Sequence, residues 1–264
     1  TGGVFTLREA SRPAAQAPRL SDAATLGAVT VTASAESAPG DLLPTYAGGQ
    51  VATGSRVGLL GQQSLMDTPF HITSYTAELM QDQQAITVAD VLANDPSVRT
   101  VSYSLTNAAA GGDIFLIRGF SVQDSVLFDG IGGIATNRAV AVEAAERVEV
   151  LKGPNALLNG MAPGAGGAVG GAINLVPKRA GDVPLTRLTT TYLSKGNLGG
   201  HLDVGRRFGD DHQWGVRFNG VYRDGKTATQ GQSVELGAAA LAVDYRGSQL
   251  RASVDAGHQT MNNE

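Results

Sequence analysis

Apolar and polar residues alternate along the C-terminal part of this chain, from just beyond Pro184 into its last residues. Successive side chains of a strand point to opposite faces, so a period of two predicts β-strands with one apolar and one polar face. We expect five such strands over 184–264. The fourth, at 234–245, has two apolar runs that are out of phase, which predicts a β-bulge. The clearest strand sets Trp214, Val216, Phe218 and Tyr222 against Arg217, Asn219 and Arg223.

Such a sheet can belong to a soluble protein, covered on one side, or to a barrel with lipid outside and water inside. Two details favour the barrel. Trp214 and Tyr222 lie at opposite ends of one apolar stripe, and membrane interfaces favour aromatic residues. The expected connections also alternate between tight turns and looser stretches at 194–199 and 224–232, as they do in outer-membrane barrels.

Composition excludes several classes of function. The absence of cysteine excludes disulfide scaffolds, thiolate catalysis, zinc ribbons and iron–sulfur clusters. The net charge of -4 gives no nucleic-acid footprint. Gly164-Ala-Gly166 begins like a dinucleotide-binding loop, which must be followed by a helix. Here the glycines lead into a predicted strand that ends at Pro177, so a close-packed turn is favoured over a nucleotide site. The histidines form no metal-ligand or catalytic spacing, so we expect no enzyme and no bound metal; they are His71, His201, His212 and His258.

Residues 68–180 have the mixed pattern of an α+β unit. Ser74 is a candidate N-cap for a short helix that ends near Gln83, and the T-x-x-D pattern from Thr87 to Asp90 predicts a capping box. Short strands alternate with glycine turns up to Pro177. Residues 10–66 have the composition of a linker, interrupted by the β-prone run AVTVTA at 28–33.

Several motifs, in this order, resemble those of TonB-dependent outer-membrane receptors of the ferric-siderophore branch. The similarity covers about residues 25–264, and residues 1–9 resemble the tail of a periplasmic signalling module. The motifs are LGAVTVTA at 26–33, DTP at 67–69, DVLANDPSV at 90–98, FLIRGF at 115–120, FDGI at 128–131, ERVEVLKGP at 146–154 and GGAINLVPK at 170–178.

The resemblance implies an α+β plug domain over 67–183, followed over 184–264 by the first antiparallel strands of a transmembrane β-barrel. It implies a segment that binds TonB, at Ala28, Val29, Thr30, Val31, Thr32 and Ala33. It implies plug–barrel anchors at Arg118, Arg147 and Glu149. Ligand contacts are expected from two loops, at Tyr103, Ser104, Asn107, Asn137 and Arg138.

By this resemblance the chain is a fragment of a receptor that imports a ferric siderophore across the bacterial outer membrane, with its N-terminal segment in the periplasm. Iron arrives as a pre-formed chelate, so no cofactor is expected. The expected partners are TonB, the siderophore and outer-membrane lipid. Two alternatives are a transducer that also signals to an anti-sigma regulator, and import of another scarce ligand such as cobalamin. Because barrels of this kind close with about 22 strands, five strands predict a fragment or a truncated product.

Overall fold

The structure is a computed structural model that describes residues 41–102, 113–122, 125–133, 140–160, 167–193, 196–227 and 229–263. These residues form an α+β part over 45–177, here called the plug, and a five-stranded sheet over 185–263, here called the wall. Within the described ranges, no helix is long and apolar enough to cross a lipid bilayer.

The plug is built from short elements. Its described strands are β1 (Thr45–Tyr46), β2 (Val51–Ala52), β3 (Gly54–Arg56), β4 (Gln62–Ser64), β5 (His71–Thr76), β6 (Val98–Ser102), β7 (Ile114–Ile117), β8 (Phe120–Ser121), β9 (Val126–Phe128), β10 (Ile131–Gly132), β11 (Ala145–Lys152) and β12 (Gly171–Pro177). Its described α-helices are α1 (Ala77–Asp82), α2 (Val88–Leu92), α3 (Ala156–Asn159) and α4 (Gly167–Gly170).

A seven-stranded sheet forms the centre of the plug, in the order β1-β2-β5-β11-β12-β9-β10. Only β12 and β9 pair in parallel; the other neighbours are antiparallel. Strand β11 has neighbours on both sides and alternates in character along its length. Val148 and Val150 lie on one face and belong to the main apolar core, together with residues of α1 and α2 such as Met80. Arg147 and Glu149 therefore lie on the opposite face.

Of the two helix starts predicted from the sequence, one is confirmed and the other is wrong. Thr87 and Asp90 form the predicted capping box at the start of α2. The N-cap of α1 is Thr76, whose hydroxyl accepts a hydrogen bond from the Leu79 backbone N–H. The prediction of Ser74 is wrong because β5 continues through Ser74 to Thr76, which leaves no helix to cap two residues earlier.

The assignment of all of 10–66 to a linker is also wrong, since residues 45–64 form strands β1 to β4. Strand β2 extends the central sheet beside β5, and β3 pairs with β4 in a small separate sheet. Ser55 and Val57 are fully buried in this segment. Its small and polar side chains allow its backbone to lie close to the rest of the plug.

The wall confirms five antiparallel strands. They are β13 (Leu185–Leu193), β14 (Asn197–Phe208), β15 (Trp214–Lys226), β16 (Ser233–Arg246) and β17 (Arg251–Asn263), paired in sequence order. The alternation in β15 is as predicted: Trp214, Phe218 and Tyr222 are exposed, whereas Arg217 and Arg223 are buried against the plug.

Two local predictions for the wall are wrong. Strand β16 pairs with both neighbours without a register shift, so it has no bulge. Its apolar runs differ in phase because Val234 and Leu236 face the plug, where Leu236 packs on Ala141, whereas Leu241 faces outward. The looser connection expected at 194–199 is also shorter, since β14 begins at Asn197.

Candidate functional site

The inner face of the wall carries a set of charged and amide side chains that the plug covers. Burial of so many ionisable groups requires that they be paired. The members that are buried as whole residues are Asn197, Asp203, Arg217, Asn219, Arg223 and Asp244. The side chain of Arg207 belongs with them, since only 1% of it is exposed.

Each of three inward-facing arginines of β14 and β15 lies directly opposite a glycine of the neighbouring strand. Arg217 is paired with Gly205, and Arg223 with Gly199. A Cβ atom on Gly205 would lie 2.9 Å from Cδ of Arg217, and one on Gly199 would lie 2.8 Å from Cγ of Arg223. Arg207 likewise lies opposite Gly215, and a Cβ atom on Gly215 would lie 2.6 Å from Nη1 of Arg207. The glycines therefore leave the space in which the long side chains lie flat across the sheet.

Two buried ion pairs connect strands of the wall. Arg217 binds both carboxylate oxygens of Asp203, with Nε–Oδ1 at 2.5 Å and Nη2–Oδ2 at 2.7 Å. Arg207 Nη2 lies 2.8 Å from Oδ2 of Asp244. Charge-assisted hydrogen bonds of this kind are stronger than neutral ones, and the two-pronged pair also fixes orientation.

The segment that leads from the plug into the wall, residues 178–182, is held by these same groups. Arg207 Nη1 donates to the Ala180 carbonyl oxygen at 2.9 Å, and Arg217 Nη1 donates to the Arg179 carbonyl oxygen at 3.4 Å. Lys178 Nζ lies 3.4 Å from Oδ2 of Asp203. Burial lowers the pKa of Lys178, and Asp203 acts in the opposite direction.

A further chain of ion pairs runs across the plug to the edge strand β17. Arg179 binds both oxygens of Asp255, at 3.0 and 2.8 Å, and its Nη2 also lies 3.2 Å from Oδ2 of Asp129. Asp129 in turn pairs with Arg56 at 3.1 Å. At another point Arg223 pairs with Glu143 of the plug. The plug is thus held to the wall at several charged points.

Open space remains between these points. One cavity of about 600 Å³ lies between plug residues such as Ala141 and wall residues such as Ala240 and Ala242. Another, of about 470 Å³, lies between α1 and the inner faces of β13 and β14, beside His201. The described residues contain no group of three or more histidine, aspartate or glutamate side chains placed to hold a metal ion.

Comparison with known proteins shows which family has this arrangement. The TonB-dependent receptor plug domain family matches residues 64–168. The ferrichrome receptor FcuA of Yersinia enterocolitica is 47% identical over 220 residues, which are 83% of this chain and 28% of the relative. The crystal structure of BauA, the ferric preacinetobactin receptor from Acinetobacter baumannii, superposes with a TM-score of 0.77 at 46% identity. The chain belongs to the TonB-dependent receptors.

The match to BauA covers 83% of this receptor chain and 32% of BauA, so the chain spans about a third of the length of the relatives that it matches. The pyoverdine outer membrane receptor FpvA from Pseudomonas aeruginosa PAO1 has the same fold, with a TM-score of 0.70 at 22% identity over 81% of this chain and 31% of FpvA. These comparisons confirm the predicted fold class, a plug domain followed by antiparallel barrel strands.

The three predicted anchors of the receptor have their described partners within the plug. Arg147 donates to the carbonyl oxygens of Gly54, at 2.9 Å, and of Leu43. Glu149 accepts from the Arg56 backbone N–H at 3.1 Å and from Asn174 at 2.9 Å. In the described part of the chain neither contacts the wall, because both lie on the sheet face that residues 43–56 cover.

Arg118 lies in the predicted turn with Gly119, where both residues have positive φ, 51° and 89°. Its guanidinium is exposed and lies 2.9 Å from Nδ1 of His71 in the plug. Pairing of Arg118 and Arg147 with wall carboxylates, and an anchoring role for Glu149, stay predictions.

Lys152 and Asp95 form a buried ion pair inside the plug, 2.8 Å apart, with side chains 6% and 1% exposed. Burial alone would raise the pKa of Asp95, but hydrogen bonds from Lys152 and Ser97 hold it below its ordinary value. Burial and the Asp95 carboxylate raise the pKa of Tyr75. The pair joins the end of β11 to the loop before β6.

The remaining predicted site residues lie outside the described residues. They are the TonB-binding segment, Ala28, Val29, Thr30, Val31, Thr32 and Ala33, and the ligand candidates Tyr103, Ser104, Asn107, Asn137 and Arg138. Residues 1–9, on which the signalling alternative depends, lie there too.

Sequence reasoning missed Lys178, Arg179, Arg207 and Asp244 as groups that hold the plug. The sequence did contain a signal for buried ion pairs, because the inward-facing positions of β14 to β17 carry both acidic residues and arginines. Their pairing depends on strand register, which the alternation alone does not specify.

Proposed function

We propose that this chain is the plug and first wall strands of an outer-membrane receptor that imports a ferric siderophore with energy supplied through TonB. One observation carries the proposal: the wall has an apolar outer face and a polar inner face with buried ion pairs, and the plug pairs with that inner face through Glu143 and Arg223. A polar interior and an apolar exterior suit a water-filled passage through lipid.

The relatives support the proposed class of cargo. FcuA is a ferrichrome receptor and BauA a ferric preacinetobactin receptor, both for chelated iron. Chelated iron needs hydrogen bonds and shape from the protein and no side-chain ligands of its own. Ferric siderophores are therefore the proposed cargo class, and outer-membrane lipid is the proposed surrounding of the wall.

The proposal is tested by uptake of radiolabelled iron into iron-starved cells that carry or lack the gene for the full-length receptor. Ferrichrome and ferric preacinetobactin are the first probes, followed by a panel of other siderophores. We expect accumulation that depends on both the receptor and TonB. Equal iron accumulation without the receptor, for every siderophore in the panel, would contradict the proposal.

The proposed TonB contact lies in residues 28–33. An isolated extended segment can add as a strand to the edge of a partner's sheet, where backbone N–H groups supply the hydrogen bonds. Val31→Pro removes one of these groups, so we expect uptake to be lost while siderophore binding at the cell surface is retained. Ala15→Pro, in the proline-containing linker, is the matched control and should transport normally. Normal uptake by Val31→Pro would exclude this segment.

A further inference from the structure

The inner face of the wall changes in character between β15 and β16. On β14 and β15 it carries the long arginine side chains that lie over glycines. Residues directly opposite in a ladder share a face, so the inward positions of β16 include Ala238, Ala240 and Ala242, which lie opposite Val221, Asn219 and Arg217. On the next strand, Gly257 lies opposite Ala240. These small residues leave space between this part of the wall and the plug.

The space is the cavity of about 600 Å³ that Val140 and Leu175 border on the plug side. Small-molecule sites have volumes of about 300–1,000 Å³ and are lined mostly by apolar groups, with a few polar groups among them. The polar groups of this cavity include two amides and three charged side chains, Asn219, Gln259, Lys178, Arg217 and Asp255. The cavity therefore has the volume and the lining of a small-molecule site.

The cavity is elongated along the strands. Its lining on β17 runs from Asp255 to Met261, which at about 3.3 Å per residue is a length of about 20 Å. Asp41, the first described residue, pairs with Arg251 at 2.7 Å, beyond the Asp255 end. The proposed function puts the N-terminal segment in the periplasm, so the Asp255 end is the one nearer the periplasm.

The other end of the cavity is closed by a contact between plug and wall. Ala141 packs on Val221 and Leu236 in an apolar cluster that also includes Met261. Its backbone N–H donates to Oε1 of Gln259 at 3.1 Å. The predicted ligand contacts Asn137 and Arg138 precede this closure by only a few residues in the sequence.

An ion pair closes the end nearer the periplasm. Arg179 Nη2 lies 2.8 Å from Oδ2 of Asp255 in the wall and 3.2 Å from Oδ2 of Asp129 in the plug. When such a bridge opens, water can solvate the separated charges and offset part of the lost interaction. The cavity is thus a chamber with an apolar closure at one end and an ionic closure at the other.

We propose that this chamber is a transit site, which a ferric siderophore occupies after it leaves its binding site at the cell surface and before it enters the periplasm. Ala238, Ala240 and Gly257 set the width of the chamber. Methyl groups and glycine offer a chelate no hydrogen bonds, so the middle of the chamber holds it weakly, and weak binding favours onward movement. This inference deepens the proposed function and rests on it.

The first test fills the chamber after the receptor has folded. Ala240→Cys is introduced into the full-length receptor, in a background from which any cysteine beyond this stretch has been removed; the stretch itself has none. Methanethiosulfonate reagents of increasing size then modify the thiol, and mass spectrometry confirms each adduct. The matched control is Thr191→Cys in the cavity beside His201, which lies against another part of the plug. Ferrichrome, or whichever siderophore of the panel the unmodified receptor transports, is the probe.

We expect the largest adduct at Ala240→Cys to lower the initial uptake rate at least tenfold, smaller adducts to lower it less, and reduction to restore it. Surface binding of the siderophore should be unchanged, and modified Thr191→Cys should transport normally. Normal uptake with the large adduct in place would overturn the inference. So would an equal loss at Thr191→Cys, or a thiol at position 240 that no reagent reaches in the folded receptor.

A second test fills the chamber by substitution alone. Ala240→Trp points into the chamber, whereas Ala239→Trp, the control, points outward from the same strand. We expect at least a tenfold loss of uptake for Ala240→Trp with surface binding retained, and normal uptake for Ala239→Trp. Equal uptake by the two variants would contradict a passage along β16. Failure of the proposed function is distinguishable, because the unmodified receptor would then transport no siderophore of the panel.

Discussion

At the scale of single residues, the plug depends on charges buried inside it as well as on those at its boundary. Asp95 and Lys152 are both almost completely buried, so removing one leaves the other without its counter-charge. Breaking a buried pair in this way typically costs about 3–5 kcal/mol. We expect Asp95→Ala to lower the free energy of unfolding of the receptor by that amount, measured by urea titration in detergent. The control is Asp41→Ala in the exposed pair with Arg251, where less than about 1 kcal/mol is expected.

The Asp95–Lys152 pair also predicts how the stability of the folded receptor changes with pH. The pKa of Asp95 is lower in the folded state than its ordinary value of about 3.9. A carboxyl with a lowered pKa stabilises the fold above the ordinary pKa, and this contribution is lost as pH falls through the folded value. The destabilisation caused by Asp95→Asn should therefore be constant from pH 7 to pH 5 and shrink below about pH 4. A difference that already shrinks between pH 7 and pH 5 would contradict this assignment.

At the scale of elements, β14 and β15 are joined by arginines that lie over glycines. Gly205→Ala would place a Cβ 2.9 Å from Cδ of Arg217 and displace its guanidinium from Asp203. We expect a loss of about 1–3 kcal/mol in the free energy of unfolding, as for other overpacked or unpaired buried sites. Gly200→Ala in the same strand meets no atom within 4 Å, so its effect should stay within about 0.5 kcal/mol. Equal effects of the two substitutions would show that the close approach to Arg217 is not important.

The elements also show where prediction from sequence succeeds. The capping box at Thr87 and the alternation of Phe218 with Arg217 and Asn219 were predictable, because both follow from residues close together in the chain. The start of α1 was not, since Thr76 and Ser74 can both cap a helix and the length of β5 decides between them. Residues 45–64 were assigned to a linker because contacts such as those of the Gly54 carbonyl oxygen and the Arg56 backbone N–H use backbone groups, which sequence patterns do not reveal.

At the scale of the whole molecule, ion pairs join the wall to the segment that leads into it from the plug, residues 178–182. The pairs Arg179–Asp255 and Lys178–Asp203 join groups of opposite charge that are far apart in sequence. Their partners were not predictable, because they depend on how the plug packs against the wall. The family motifs identified the domains but not these contacts, since the motifs lie in the plug and most of the wall partners lie beyond them.

The outer face of the wall tests the proposed membrane environment. Phe218 lies midway between Trp214 and Tyr222 on the exposed side of β15, where the apolar part of a bilayer would contact it. Arginine on the lipid face of a barrel costs about 2–4 kcal/mol at the midplane and about 0–1 near the interfaces. We therefore expect Phe218→Arg to destabilise the full-length receptor folded into lipid vesicles by about 2–4 kcal/mol, and Phe208→Arg, at the end of β14, by much less. In a soluble sheet both positions face water and both substitutions would cost little. Equal, small effects in vesicles would therefore contradict a lipid-facing wall, whereas a dependence on position along the strand would support it.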